Sequence, residues 1–336
     1  MNKILVSVVI PVHNGEKYIK KCVNQILKQT LSQIEVILVE NFSEDSSLEI
    51  CKELSKQDDR VRLFQSFKRG TSFARKLGVQ KAKGLYITFS DQDDKYCSRK
   101  ALELMYNTIV NNKTQICQFG FYKEYFHCIK RKKSKNDRIY STSELYSDQI
   151  KGIIGVPESD FSTGVWDKIY ESSLLKSSVE NINYGMFFAE DEYLNVSCFF
   201  NKKLKSVSTS SFSFYCWQNG TGFSSSDNSG IALLHDYDIL KPYVINLLSE
   251  FKISEDIIWK CNLETVYCCK SIVCKMIRNN SNYQEISNVT EEILSSKAFL
   301  LACDYFKNYN NKKDIWEELN KLVNIKDTKS WIDLCK

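Results

Sequence analysis

The sequence predicts an α/β fold built on a mostly parallel sheet with flanking helices, completed by an α-helical C-terminal subdomain. Two observations carry the first part: from Ile4 to Phe89, β-branched runs alternate with amphipathic stretches, and the connections between them are only a few residues long. A third carries the second part, because from Gly230 onward the strand-like runs give way to long helical stripes. With 336 residues and 43% hydrophobic content the chain can bury one large core and a smaller one. The expected division is 1–228 and 229–336.

Ile4 to Val12 is a nearly continuous apolar run closed by Pro11, the pattern of a strand buried on both faces of a parallel sheet. After Asn14-Gly15, apolar residues at Tyr18, Ile19, Cys22, Val23, Ile26 and Leu27 form two rows at four-residue spacing, an amphipathic helix for which Asn14 is the expected cap. Strands follow at Ile34–Val39 and Val61–Phe64, helices at Leu48–Leu54 and Ser72–Ala82, and a fourth strand at Leu85–Phe89. Such repetition winds a parallel sheet in the right-handed sense, and its ligands sit beyond the carboxyl ends of the strands.

Polar residues collect at that edge. The fourth strand stops on Asp91-Gln92-Asp93-Asp94, three carboxylates in four positions. They repel one another, and a divalent cation on a phosphate ligand would relieve the repulsion; an acidic surface turn is the competing reading. The first strand ends on Pro11-Val12-His13-Asn14 and the second on Val39-Glu40-Asn41-Phe42-Ser43. Glu40 can accept hydrogen bonds from a base N–H or from ribose hydroxyls, or serve only in its turn. Arg75, in the helix opening at Gly70, can reach a diphosphate or sit in an ion pair.

Several classes lose ground. No glycine-rich dinucleotide fingerprint follows the first strand, and no phosphate-cradling loop ends in Gly-Lys-Ser/Thr, which counts against dehydrogenases and nucleoside triphosphatases. The net charge of +5, from 46 basic and 41 acidic residues, is too balanced to indicate nucleic acid. Thirteen cysteines without metal or redox spacing read as reduced thiols of a cytoplasmic protein. The N-terminus lacks a signal-peptide pattern, and no apolar run approaches the roughly 20 residues that cross a bilayer. Membrane contact is therefore expected only as peripheral attachment, at the inner face.

In order along the chain, Val6–Asn14, Val39–Ser43, Gly70–Arg75, Ala82–Ile87 and Asp91–Asp94 resemble the inverting family 2 glycosyltransferases of the GT-A fold, in particular bacterial capsular and surface-polysaccharide enzymes. The resemblance implies transfer of a sugar from a nucleotide-diphosphate donor, a UDP-sugar first, to a hydroxyl of a glycan or lipid-linked glycan. It implies a nucleotide-sugar half at 1–112, an acceptor half at 113–228, and donor contacts from Pro11, Val12, His13, Asn14, Glu40, Arg75, Asp91 and Asp93. Asp91 and Asp93 would hold Mn²⁺ or Mg²⁺. The pattern departs at Glu40-Asn41-Phe42, where relatives carry two aspartates and a glycine; Phe42 adopts a positive φ less cheaply than glycine, so this loop is expected to differ. Lys68 and His13 also stand where many relatives have Asn and Tyr.

Beyond a helix at Leu102–Val110, the aromatic-rich Ile116–Phe126 reads as a strand entering a hairpin whose solvated tip is Lys130-Arg131-Lys132-Lys133-Ser134-Lys135. Trp166 can offer a flat face to a sugar ring or belong to the core. By the resemblance, Trp166 and Lys168 flank the acceptor. Glu190-Asp191-Glu192, set among apolar residues, is the second acidic cluster. Burial raises the proton affinity of a carboxylate toward that of a general base; the alternative is an acidic start to the helix running through Val196 and Phe199. Matched to the family's Glu-Asp motif, Asp191 is the expected base and Glu190 an acceptor contact.

Trp217 is a further expected acceptor contact, at a place where relatives often carry a basic residue, and Asn219–Ser226 reads as a loop able to act as a lid. Two long helices follow, Ile231–Phe251, broken near Pro242, and Glu255–Ile277, striped by Trp259, Leu263, Val266, Val273 and Ile277. They pack on the catalytic domain by default, with homodimerisation or a membrane as alternatives. Two other functions compete. One is a catalytically weak, glycosyltransferase-like binding protein, motivated by the Glu40-Asn41-Phe42 loop. The other is a sugar-nucleotide nucleotidyltransferase, for which Val12-His13-Asn14-Gly15 lacks the expected Gly-rich basic loop.

Overall fold

The computed structural model describes residues 3–125, 128–132, 136–156, 159–180, 182, 184–218, 229–309, 317–325 and 327–335. The chain forms two compact units, Met1–Ile153 with Glu158–Ser225, and Ile154–Pro157 with Ser226–Lys336.

The first unit opens with β1 (Val6–Val12), α1 (Ile19–Leu27), β2 (Ile34–Glu40), α2 (Ser47–Gln57), β3 (Val61–Gln65), α3 (Thr71–Lys81) and β4 (Tyr86–Phe89). β1 pairs in parallel with β2 and β4, and β2 with β3, as the β-α alternation requires. All seven residues of β2 are buried, Glu35 and Glu40 included, which is why Val36–Val39 reads as a continuous apolar run rather than an alternating one. α3 lies close against the sheet through Gly78, where an added Cβ would come within 2.3 Å of Val9 Cγ1.

The unit continues with β5 (Lys95–Tyr96), α4 (Ala101–Asn112), β6 (Ile116–Tyr125), β7 (Cys128–Lys132), β8 (Arg138–Ser141), α5 (Thr142–Ser147), a 3-10 turn (Gln149–Ile154), β9 (Lys168–Glu171), α6 (Ser172–Val179), α7 (Glu190–Phe199) and β10 (Ser206–Gln218). One sheet holds these strands in the order β3-β2-β1-β4-β9-β6-β10-β5, with β7 on β6 and β8 on β10. β9 runs antiparallel to β4 and β6, so the sheet is mixed. Strand order reverses between β1 and β4, and the carboxyl ends of those two strands open the crevice in which ligands of such sheets bind. Val8, Ile10, Val23, Leu38, Met105, Phe119 and Ile169 belong to one buried cluster that extends from the first strands to β6 and β9.

Three local expectations change. α1 starts at Ile19 with Tyr18 at its N-cap, whereas Asn14 takes a left-handed φ of 48° and its side chain accepts the Glu44 N–H at 2.8 Å, tying the end of β1 to the loop after β2. Lys130–Lys132 is not a hairpin tip: it lies within β7, with Lys130 opposite Lys123, and 133–135 fall outside the described residues. Phe42 does take the positive φ, 58°. Neighbouring bonds over-determine that turn: Asn41 donates from Nδ2 to the Lys68 and Gly70 carbonyls and accepts the Gly70 N–H, while Glu40 Oε1 accepts the Ser43 N–H at 2.6 Å.

The second unit is helical over its described residues: α8 (Ser229–Glu250), α9 (Glu255–Arg278), α10 (Tyr283–Ser295), α11 (Lys297–Asn308), α12 (Glu317–Asn324) and α13 (Thr328–Cys335). α8 runs through Pro242 without breaking. Its fully buried Leu240, Val244 and Leu248 supply the packing that outweighs the lost backbone hydrogen bond. On α9, Val266 and Val273 enter the core as expected, but Trp259, Leu263 and Ile277 sit half-buried at its edge and Cys269 and Ile272 fill the interior instead. No helix among the described residues is long and apolar enough to cross a membrane.

Candidate active site

The crevice at the ends of β1 and β4 is a cleft of about 740 Å³. Pro11, Val12, His13 and Asn14 line it from β1, Asp91 and Asp93 from β4, Arg75 from α3, Glu190 and Asp191 from α7, and Trp166 and Trp217 from the half that follows. Gln92 holds the two strand ends together, donating from Nε2 to the His13 carbonyl at 2.7 Å and accepting the His13 N–H at 3.1 Å. Gly15 makes room for this clamp, since a Cβ there would lie 2.1 Å from Gln92 Oε1. His13 in turn donates from Nδ1 to the Asn41 carbonyl at 2.9 Å.

Arg75 joins the two acidic clusters. One terminal nitrogen donates to Asp91 Oδ1 at 2.9 Å, and the other to Asp191 Oδ1 at 2.9 Å and Glu190 Oε1 at 3.3 Å. Its side chain is 3% exposed, so these ion pairs are little screened by water. Burial opposes the guanidinium's charge, but Asp191, Asp91 and Glu190 outweigh it and hold the proton more tightly than usual. The expected reach of Arg75 to a diphosphate is therefore not the arrangement seen, because both terminal nitrogens are committed to carboxylates.

Three sets of bonds hold this geometry. Ser72 on α3 donates its hydroxyl to the Tyr184 carbonyl and accepts the Met186 N–H, so α3 is stitched to the segment leading into α7. On α7, Asn195 accepts from the Tyr170 hydroxyl and donates to the Thr163 and Gly164 carbonyls. The loop so fixed presents the Val165 N–H to Asp191 Oδ2 at 3.3 Å. Lys168 braces the same loop from within: it is fully buried, pairs with Asp167 at 2.8 Å and donates to the Ser162 and Gly164 carbonyls. It does not line the cleft, so direct acceptor contact by Lys168 gives way to a supporting position.

Glu190 and Asp191 occupy the first turn of α7, where the helix dipole favours carboxylates. Burial nevertheless raises both. Asp191 is pushed up to about 6 by desolvation and by Asp91, with Arg75 and the Val165 N–H pulling the other way. Glu190 is pushed well above the usual carboxylate range by burial and by Asp191 beside it. The Asp191 side chain, 21% exposed, remains open to the cleft.

Glu40 is 5% exposed, closes its own turn onto Ser43 and does not line the cleft, so its expected base or ribose contact is not built here; the neighbouring Asn41 reaches the lining instead. Asp94 likewise turns inward, accepting the Gln218 N–H at 2.8 Å. Trp166 fits both of its readings, stacking on Tyr215 with centroids 5.0 Å apart while its surface lines the cleft. Lining residues that sequence reasoning missed include Arg69, Gln92 and Lys123. Gln92 lies inside the acidic motif and Arg69 directly precedes a positive-φ glycine, but nothing local marks Lys123, whose place depends on strand pairing.

Residues 7–170 match the family model described as glycosyl transferase family 2. The "Uncharacterized glycosyltransferase EpsJ" of Bacillus subtilis (strain 168) is 32% identical over 202 residues, 58% of this chain and 56% of that protein. The "GalNAc(5)-diNAcBac-PP-undecaprenol beta-1,3-glucosyltransferase" of Campylobacter jejuni is 25% identical over 188 residues, 55% of this chain and 56% of that protein. The chain thus spans about half the length of these curated relatives. Among solved structures, S. aureus TarS 1-349 in complex with UDP-GlcNAc superposes with a TM-score of 0.63 at 17% identity, covering 98% of this chain and 90% of that one. Residues 7–170 thus match glycosyl transferase family 2, and the fold is GT-A with a helical C-terminal region.

Proposed function

We propose that this chain is an inverting glycosyltransferase that moves a sugar from a nucleotide diphosphate, a UDP-sugar first, to a hydroxyl of a glycan in surface-polysaccharide or glycoconjugate assembly. One observation carries the reading: Asp91 of the first acidic cluster and Glu190 and Asp191 of the second meet on Arg75 inside a single cleft. Nucleotide contacts fall to the β1 end, from Pro11 to Asn14. Asp191 takes the proton of the acceptor hydroxyl as that oxygen bonds to the anomeric carbon; the bond from that carbon to the diphosphate oxygen breaks, and its electron pair leaves with the diphosphate. Glu190 hydrogen-bonds the acceptor, and Trp166 and Trp217 offer flat faces to its sugar rings.

Asp91 and Asp93 suit a hard divalent cation, two carboxylates beside room for phosphate oxygens. Among the described residues no three His, Cys, Asp or Glu side chains gather to hold a metal alone, so donor phosphates and water would complete the coordination. Mn²⁺ or Mg²⁺ would supply charge neutralisation for the departing diphosphate. The UDP-GlcNAc bound by the TarS neighbour supports the donor class, and the undecaprenol-linked glycan in the Campylobacter relative's name supports a lipid-linked acceptor, which would bring the enzyme to the inner face of the membrane. The test is a panel of nucleotide sugars with Mn²⁺ or Mg²⁺, following nucleotide release with and without EDTA. Release from a UDP-sugar that EDTA abolishes is the expected result; no binding or release with any nucleotide sugar overturns the reading.

A further inference from the structure

The leaving diphosphate of such a reaction gathers negative charge, and a cation shared with two aspartates does not cancel all of it. Arg75 has its terminal nitrogens on three carboxylates. Lys123 on β6 is in register with Trp217 on the parallel neighbour β10, and its ammonium stands 4.3 Å from the centroid of the Trp217 indole. Both residues line the cleft. The next residue, Gln218, donates its N–H to Asp94 Oδ1 at 2.8 Å, so the strand end bearing Trp217 is fastened to the turn that carries Asp91 and Asp93. An aromatic face orders the flexible lysine stem while leaving the ammonium its charge, the form in which lysine binds phosphate as a point charge.

We infer that Lys123 binds the diphosphate of the donor and stabilises its charge as it departs. This rests on the glycosyltransferase reading above, and the experiment separates the two. Binding of UDP and of uridine to the full chain in Mn²⁺ is measured by titration calorimetry for wild type, Lys123→Met and Lys123→Arg, with circular dichroism to check folding. Lys123→Met is expected to weaken UDP by about tenfold or more and to leave uridine unchanged, with Lys123→Arg restoring most of the loss. Should Lys123→Met fail to fold, Lys123→Gln takes its place against Lys123→Arg with the same expectation. If wild type binds UDP and the neutral variants bind it equally well, the lysine has no part in diphosphate recognition although the enzyme reading stands. If wild type binds neither UDP nor uridine, that reading falls and takes this inference with it.

Discussion

Arg75 stands 16 positions from Asp91 and 115 and 116 from Glu190 and Asp191, and it touches all three. The residue types at these positions were legible in the sequence as two acidic clusters and a basic helix residue; which acid the arginine meets was not, because that depends on how α3 and α7 approach each other. Glu40 shows the same limit, since a carboxylate at a strand end can face a ligand or close its own turn, and only the turn geometry decides. With Asp191 pushed up to about 6, the proposed base is protonated in acid and ionised above that value. A general base acts in its ionised form, so on this proposal kcat/KM should rise with pH through about 6 and level off above it; a profile flat between about pH 5 and pH 8 would contradict the assignment. Phe42 carries its own expectation. A left-handed φ costs a non-glycine residue roughly 1–2 kcal/mol, while glycine's extra freedom in the unfolded chain offsets part of that gain. Because Phe42 is 48% exposed, little packing is lost on truncation, and Phe42→Gly should raise the denaturation midpoint by up to about 1 kcal/mol of stability. A clear loss in urea denaturation would refute this.

The strands were the most legible elements. β1 and β2 are buried almost throughout, so their apolar runs have no other explanation in a chain this polar. Helix starts and interruptions were less so: Asn14 has the chemistry of a cap but spends it on the next strand's loop, and Pro242 has the chemistry of a breaker but sits among buried neighbours that hold α8 together. Gly78 of α3 makes the competition measurable. Alanine is the better helix former by about 1 kcal/mol, yet its Cβ would sit 2.3 Å from Val9 Cγ1, and overpacking a buried β-branched neighbour costs typically ~1–3 kcal/mol. Gly78→Ala should therefore lower the melting temperature and, by shifting the helix that carries Arg75, lower sugar transfer with it. A raised melting temperature with full activity would show that α3 has slack against the sheet.

Across the whole molecule, the two units have separate cores and unequal legibility. The family match ends at Tyr170 in β9, within the first unit, where motif spacing places the polar strand ends on one edge of the sheet. The second unit offers only amphipathic stripes, which specify burial and leave a role unstated. The central claim concerns the first unit: its two acidic clusters form one site with divided labour, Asp93 on the donor's cation and Asp191 on the acceptor's proton. The most direct measurement compares UDP affinity in Mn²⁺ and UDP-sugar turnover for Asp93→Ala and Asp191→Asn. Asp93→Ala should lose UDP binding, whereas Asp191→Asn should bind UDP as wild type does and turn over about 10²- to 10⁴-fold more slowly. Turnover by Asp191→Asn at the wild-type rate, or UDP binding by Asp93→Ala indistinguishable from wild type, would contradict the account.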